Sequence, residues 1–340
     1  MNAFVAALTA VAVGTCFPSD QLDSLVTSGS ASAALLTVDT SDGSRSDAAG
    51  AAQPSGYFRI GSVTKTFVAT VVLQLVDEGK VELDAPLDRY LPGLVPNGQN
   101  ITVRQVLNHR SGIYDYAHDA GFSTNRWRGT ERFRHFEPEE LLSVAFGHQP
   151  YFGPDEGWHY SNTNYIIAGL LIERLTGRSY GTEITNRILK PLRLADTSLP
   201  GDRPGLPRPH ARGYTEVDGR LVDATMMNPS LDWAAGEMIS TAQDVNTFFE
   251  ALLGGRLLTA ESLTQMRDYR AATPLFDYGP GLQRFHLPCG QTIEGHSGQL
   301  IGYTTYSLHN TTKQATLSYN PLPNTDPATT LISLFSHLYC

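Results

Sequence analysis

Phe58-Arg59-Ile60-Gly61-Ser62-Val63-Thr64-Lys65 carries a short apolar run into a glycine, a serine and, three residues on, a lysine. The residues after Lys65 make this a helix start. Phe67, Val68, Val71, Val72, Leu75 and Val76 fall on one broad face with helical spacing, and Gly79 supplies the stop. Ser62 and Lys65 then share a face, one turn apart. A serine hydroxyl is a poor nucleophile until a base takes its proton, and a lysine serves when burial lowers its pKa toward neutrality. The positive end of the helix dipole favours oxyanion character at Ser62 and disfavours charge on Lys65. Alone, an S-x-x-K element is equally a helix cap followed by a surface lysine. Here the face continues into Val68, Val72 and Leu75, and the chain has only four lysines, Lys65, Lys80, Lys190 and Lys313.

Outward from this helix, residues 32–38 read as a strand and 39–56, rich in Ser, Gly, Asp and Ala, as turn and loop. Thr102–Leu107 reads as a short helix capped by Thr102, and 111–137 as a long loop. Helices are expected over 138–145, over about 165–175 ended by Gly177, and over 242–253. Late β-like runs cover 281–287, 303–308 and 315–319, before a closing helix at about 329–338. Strands at both chain ends with helices between them predict an α+β fold, an antiparallel sheet flanked by helices with an inserted, mostly helical lobe. The expected division is an apolar segment at 1–20, a sheet lobe from 21–80 and 205–340, and a helical lobe at 81–204, with the Pro/Gly/Arg-rich stretch 200–209 crossing between lobes and the active site between them.

Composition excludes several classes of function. The 340 residues are 41 % hydrophobic and 17 % charged, an ordinary globular balance. A net charge of -9 makes nucleic acid an unfit partner. No apolar run is long enough to span a bilayer. Three cysteines, Cys16, Cys289 and Cys340, show no zinc-type spacing, so neither metal nor cofactor is expected. A Cys289–Cys340 bridge would imply an oxidising compartment, whereas the alternative is two unrelated thiols. The start, MNAFVAALTAVAVGTC, is either a secretory leader without the usual basic residues or a first helix.

Two further elements carry chemistry. In Tyr160-Ser161-Asn162, a phenol beside an ammonium can relay a proton, and an amide can bond both Lys65 and a substrate carbonyl. The bland reading is a helix entry capped by Ser161. In His296-Ser297-Gly298, the glycines Gly295, Gly298 and Gly302 mark a strand edge open to an extended substrate. His296 there would hold positive charge or relay a proton. S-x-x-K, Y-x-N and His-Ser-Gly in this order form the signature set of serine β-lactamases and penicillin-binding proteins.

The resemblance extends further. The runs Phe58–Lys65, Leu73–Lys80, Tyr90-Leu91-Pro92-Gly93-Leu94, Ile101–Val106, His109-Arg110-Ser111-Gly112 and Tyr160-Ser161-Asn162-Thr163-Asn164 are similar to the secreted D-alanyl-D-alanine carboxypeptidase/transpeptidase family of actinomycetes. The similarity covers most of residues 56–340. It implies the β-lactamase/DD-peptidase-like fold and a Cys289–Cys340 disulfide. It also implies acylation of Ser62, with Lys65 or Tyr160 as base, Asn162 positioning substrate and His296 at the site. The N–H groups of Ser62 and Gln299 would form an oxyanion hole. Thr124 and Trp233 match positions that line the substrate pocket, as do Ser297, Gly298 and Gln299 on the His-Ser-Gly strand.

One departure bears on specificity. In that family an arginine on the strand before Cys289, with two hydroxyl residues, grips the free carboxylate of the leaving D-alanine. This chain has Gln283 there, and Ser297 and Gln299 at the hydroxyl positions. Neighbouring Arg284 should point to the opposite face of the strand. The expectation is therefore a serine hydrolase or acyltransferase for D-amino-acid amides, esters or thioesters, acting on a peptide or peptidyl-ester small molecule, inhibited by β-lactams, secreted rather than cytoplasmic, and monomeric. Its competitors are a true D-Ala-D-Ala carboxypeptidase/transpeptidase using Arg284, a β-lactamase, a peptide-cyclising thioesterase, and a non-catalytic sensor. An α/β-hydrolase reading of Gly295–Gln299 fails at Gln299, where a glycine is needed.

Overall fold

The computed structural model describes residues 17–123 and 125–340. The expected N-terminal segment and Cys16 lie largely outside them, as does Thr124. Both ends of the chain build one antiparallel sheet. β1 (Ala31–Thr40) and β2 (Gly43–Gly50) enter first. β3 (Phe58–Arg59), β4 (Tyr214–Val217), β5 (Arg220–Asp223) and β6 (Ile239–Ser240) form two small ribbons beside it. β7 (Arg270–Ala271), β8 (Phe276–Gly279), β9 (Leu282–His286), β10 (Thr292–Leu300), β11 (Tyr303–His309) and β12 (Lys313–Pro321) complete the eight strands in the order β2-β1-β12-β11-β10-β9-β8-β7. The register from Ala31↔Pro321 to Thr40↔Lys313 joins the first strand to the last.

Helices cover both faces of the sheet. On one side α1 (Ser19–Thr27) and the closing helix, here α10 (Ala328–Tyr339), bury Leu22, Leu25, Leu334 and Leu338 against Leu36 and Leu317. On the other lies α2 (Thr64–Asp77), buried on nearly every side, as befits a helix at the centre of the molecule. Between these in the chain come α3 (Val103–Leu107), α4 (Pro138–Phe146), α5 (Asn162–Thr176), α6 (Tyr180–Ile184), α7 (Lys190–Leu192), α8 (Ala242–Leu253) and α9 (Ala260–Met266). Phe67 of α2 stacks on Phe248 of α8, and α2 and α5 share one core. Among the described residues, 81–204 hold no strand.

The local signals act as read: Thr102 and Gln105 form a reciprocal capping box on α3, and Gly177, at φ 68°, closes α5. Two readings need correction. Residues 39–56 are not all loop, because Gly43–Gly50 pairs with β1 from Thr40↔Gly43 to Ala33↔Gly50. That strand is a polar, largely exposed edge, so it lacks the apolar alternation that marks a strand. Ser161 sits at the N-cap of α5, but its hydroxyl bonds Tyr114 O instead of capping, and the helix begins at Asn162.

Candidate active site

Two glycines bring the nucleophile to the sheet. Gly61, at φ +52°, opens a single 3-10 turn over Gly61–Val63 that sets Ser62 at the head of α2. A Cβ on Gly61 would lie 2.9 Å from Gln299 N, and one on Gly298 only 2.0 Å from Ile60 O and 3.0 Å from Ser62 N. Side chains at these places would force β10 away from the turn. With glycine, the turn at Ser62 and the strand at Gln299 lie against each other, and both residues line one cavity. β9 pairs with β10 only from Thr292 to Gly295, which leaves the stretch from His296 onward open on that side.

Lys65 is fully buried, and its Nζ donates to Ser62 Oγ (3.1 Å), Asn162 Oδ1 (2.8 Å) and Ala235 O (2.6 Å). Burial pulls its pKa down to about 7, with the charges of Asp115 and Asp232 working the other way. Asn162 is fixed in turn: its Nδ2–H donates to Asp115 Oδ2 and its backbone N–H to Asp115 Oδ1, both at 3.0 Å. Tyr160 is half-buried with its Oη out of solvent and faces Ser62, and desolvation raises its pKa far more than Ser62 lowers it. Its Oη has no hydrogen bond of good geometry among the described residues. The Tyr160 ring lies 4.9 Å from Lys65 Nζ and 4.2 Å from the ring of His109. Hydroxyl, amine and phenol therefore share one pocket.

His296 does not carry positive charge. It is buried, and desolvation lowers its pKa to about 3. Nδ1 lies 2.6 Å from Ser297 O and Nε2 lies 2.8 Å from Tyr278 Oη. The carbonyl can only accept, so Nδ1 carries the proton and Nε2 accepts from the phenol. Gln283 is buried at the end of β9, where its Oε1 accepts from Ser297 N–H (2.7 Å) and Ser297 Oγ–H (3.1 Å). Arg284 is turned away, paired with Asp277 at 2.6 Å and set over the ring of Tyr269.

These groups enclose a cavity of about 370 Å³. Ser62, Tyr160, Asn162, Gln283, His296 and the strand Ser297-Gly298-Gln299 all line it. Trp233 does not. Its ring fills the space over Gly169 on α5, where a Cβ would come within 2.6 Å of it, and packs 4.6 Å from Tyr180. It thereby lines a larger hollow of about 900 Å³ that does not include Ser62. Composition of the walls is the unforeseen feature. Asp115 and Asp232 line the Ser62 cavity, yet among the described residues no arginine or lysine does. Neither acid belongs to a spaced motif. The available signals were an acid next to Trp233 in the apolar run Leu231-Asp232-Trp233-Ala234-Ala235, and one three residues after Gly112.

Residues 22–327 match the Beta-lactamase family, and the chain belongs to it. Its fold is that of the penicillin-binding protein and serine β-lactamase superfamily, and the family is one of serine hydrolases. The chain resembles a D-stereospecific amidohydrolase from Streptomyces sp. (TM-score 0.87, 36 % identity, 93 % of this chain and 97 % of that one). It also resembles D-amino acid amidase from Ochrobactrum anthropi SV3 (TM-score 0.82, 28 % identity, 94 % and 96 %). Penicillin-binding protein 4* of Bacillus subtilis is 29 % identical over 280 residues, which span 78 % of this chain and 60 % of that protein. No group of acidic, histidine or cysteine residues suited to a metal occurs among the described residues, and no helix there is long and apolar enough to cross a membrane.

Proposed function

We propose that this protein is a D-amino-acid amidase and esterase that works through an acyl-enzyme at Ser62. The observation that carries this reading is the absence of arginine and lysine, among the described residues, from the lining of the Ser62 cavity. A carboxypeptidase of D-Ala-D-Ala ends must hold a carboxylate, and such a charge needs a cation or several donors when buried. Here Gln283 stands where a guanidinium is needed, and Arg284 is committed to Asp277. An uncharged amide or ester end meets no such deficit. The similarity to the Streptomyces amidohydrolase and the Ochrobactrum amidase supports the same substrate class.

The chemistry uses groups already in contact. Neutral Lys65 takes the Ser62 proton as Oγ attacks the substrate carbonyl carbon. With a pKa near 7 about half of Lys65 is free amine at neutral pH, whereas burial keeps Tyr160 a phenol. The oxyanion faces the N–H groups of Ser62 and Gln299. The bond to the leaving nitrogen or oxygen then breaks, and that atom receives a proton through Lys65 and Tyr160. Water attacks the ester by the reverse path, releases the D-amino acid and restores Ser62. The Cys289–Cys340 bond suits an oxidising, extracellular setting.

The test compares a D-alanyl-D-alanine acid with its amide and methyl ester. The amide and ester should be hydrolysed faster by at least about tenfold, the value of one charge-assisted contact. Gln283→Arg should shift the ratio toward the acid. Preference of the unaltered enzyme for the acid would overturn the reading.

A further inference from the structure

The two cavity acids are not equivalent. Asp115 is spent: its carboxylate accepts from Ala117 N–H, Asn162 N–H and Asn162 Nδ2–H. Asp232 is not. It is only 4 % exposed, it lines the Ser62 cavity, and among the described residues no hydrogen bond or ion pair reaches its carboxylate. Three cations lie around it and none bonds it directly. Lys65 bonds Ser62, Asn162 and Ala235. Arg59 gives its Nη2 to the carbonyls of Pro204, Thr225 and Met227 and leaves its Nε and Nη1 without a partner, and Arg128 gives its Nη1 to the carbonyl of Glu131. These three set the field at Asp232, and none is its direct partner.

Burial without donors raises the pKa of Asp232 to about 7, so the free enzyme holds it partly as the neutral acid, and an entering cation would stabilise the carboxylate. A cationic group of the substrate suits it, because among the described residues the lining holds no lysine or arginine and its basic side chains are His118 and His296 alone. The acid lies three residues before Ala235, whose carbonyl holds Lys65 Nζ, so it shares a rigid turn with the reacting centre. In a cavity of about 370 Å³, a substrate with its carbonyl at Ser62 has its α-substituents inside the same walls.

We propose that Asp232 binds the free α-ammonium of the substrate, so that the enzyme acts on a single unblocked D-aminoacyl group at an N-terminus and rejects N-acylated or internal positions. The inference rests on the acyl-enzyme reading of Ser62 and adds the requirement at the other end of the aminoacyl group. It disfavours peptide cyclisation and carboxyl-terminal trimming, since both present an amide nitrogen where Asp232 needs a cation.

The experiment separates the two claims. Ser62→Ala and Ser62→Ala/Asp232→Asn proteins are titrated calorimetrically with D-phenylalanine amide and with its N-acetyl derivative. The free amine should bind Ser62→Ala about 10–100-fold more tightly than the acetyl compound, as expected for a desolvated charge-assisted contact. Asp232→Asn should reduce that ratio to about threefold or less by weakening the amine alone. Equal binding of both ligands, no binding of the amine, or equal weakening of both by Asp232→Asn would each overturn the proposal. Should the double variant not fold, the ratio in Ser62→Ala still decides. A fluorophosphonate reports separately on the nucleophile: unlabelled Ser62 in the unaltered enzyme refutes the acyl-enzyme reading, whereas the calorimetric ratio judges Asp232 without any turnover.

Discussion

Lys65 is the residue on which the chemistry turns, and its environment fixes a pH dependence. Burial stabilises its neutral form, so its folded pKa lies near 7 against an ordinary 10.5. The base is absent below that value and present above it. For a D-aminoacyl amide, kcat/KM should rise with pH through about 7, where Lys65 loses its proton and Asp232, likewise raised to about 7 by burial, ionises, and fall again as the substrate α-ammonium deprotonates at about 8. His296, already neutral above about 3, adds no limb in that range. Asp115→Asn removes a negative neighbour that raises the Lys65 pKa, so the limb should move to lower pH while kcat falls about tenfold as Asn162 loses its anchor. A merely structural Asp115 would lower activity without moving the limb, and a pH–rate series distinguishes the two. At this scale Ser62, Lys65, Tyr160 and Asn162 were legible, because one helical turn and an ordered motif set specify who meets whom. Asp115, Asp232 and the charge of His296 were not. Their significance comes from desolvation and from which donors are left over, and neither quantity is written in spacing. The direction of Trp233 depends on the space over Gly169, sixty-four residues earlier in the chain.

Elements were legible in proportion to what they bury. α2, α5, α8 and α10 carry apolar faces long enough to show their period, while β2 is a polar edge and shows none. β10 is the instructive case. Its glycines announced a close approach, but the object approached, the turn at Ile60–Ser62, comes from the other end of the chain and only the fold reveals it. This contact yields a prediction at the element scale. Gly298→Ala places a Cβ 2.0 Å from Ile60 O, which β10 can relieve only by moving away from the head of α2. The Gln299 N–H then leaves the oxyanion position. kcat should fall by about 10²–10³, the value of one such donor, with KM changed much less. Far-UV circular dichroism should keep its native form, because the remaining β10 ladder to β11 is intact. Unchanged kcat would show that Gln299 N–H is not a donor to the transition state.

Across the whole molecule, chemistry and closure are placed on opposite faces of one sheet. α2 and the Ser62 cavity belong to the core on one side, whereas α1 and α10 pack on the other. Cys289, in the turn between β9 and β10, ties that strand pair to Cys340 just beyond α10, and so fastens the last helix over its face. The bond closes a loop across a sequence separation of 51 residues. On a chain-entropy basis such a loop restricts the unfolded state by about 4 kcal/mol. Replacing both cysteines by serine, or reducing the bond, should therefore lower the free energy of unfolding by roughly that amount, read as a lower denaturant midpoint at unchanged slope. Fluorophosphonate labelling of Ser62 in the absence of denaturant should be unaffected, since α2 and the glycine contact with β10 do not pass through α10. An unchanged midpoint would mean that the helix is held by Leu331, Leu334 and Leu338 alone; loss of labelling in the still-folded protein would mean that the two faces of the sheet are coupled.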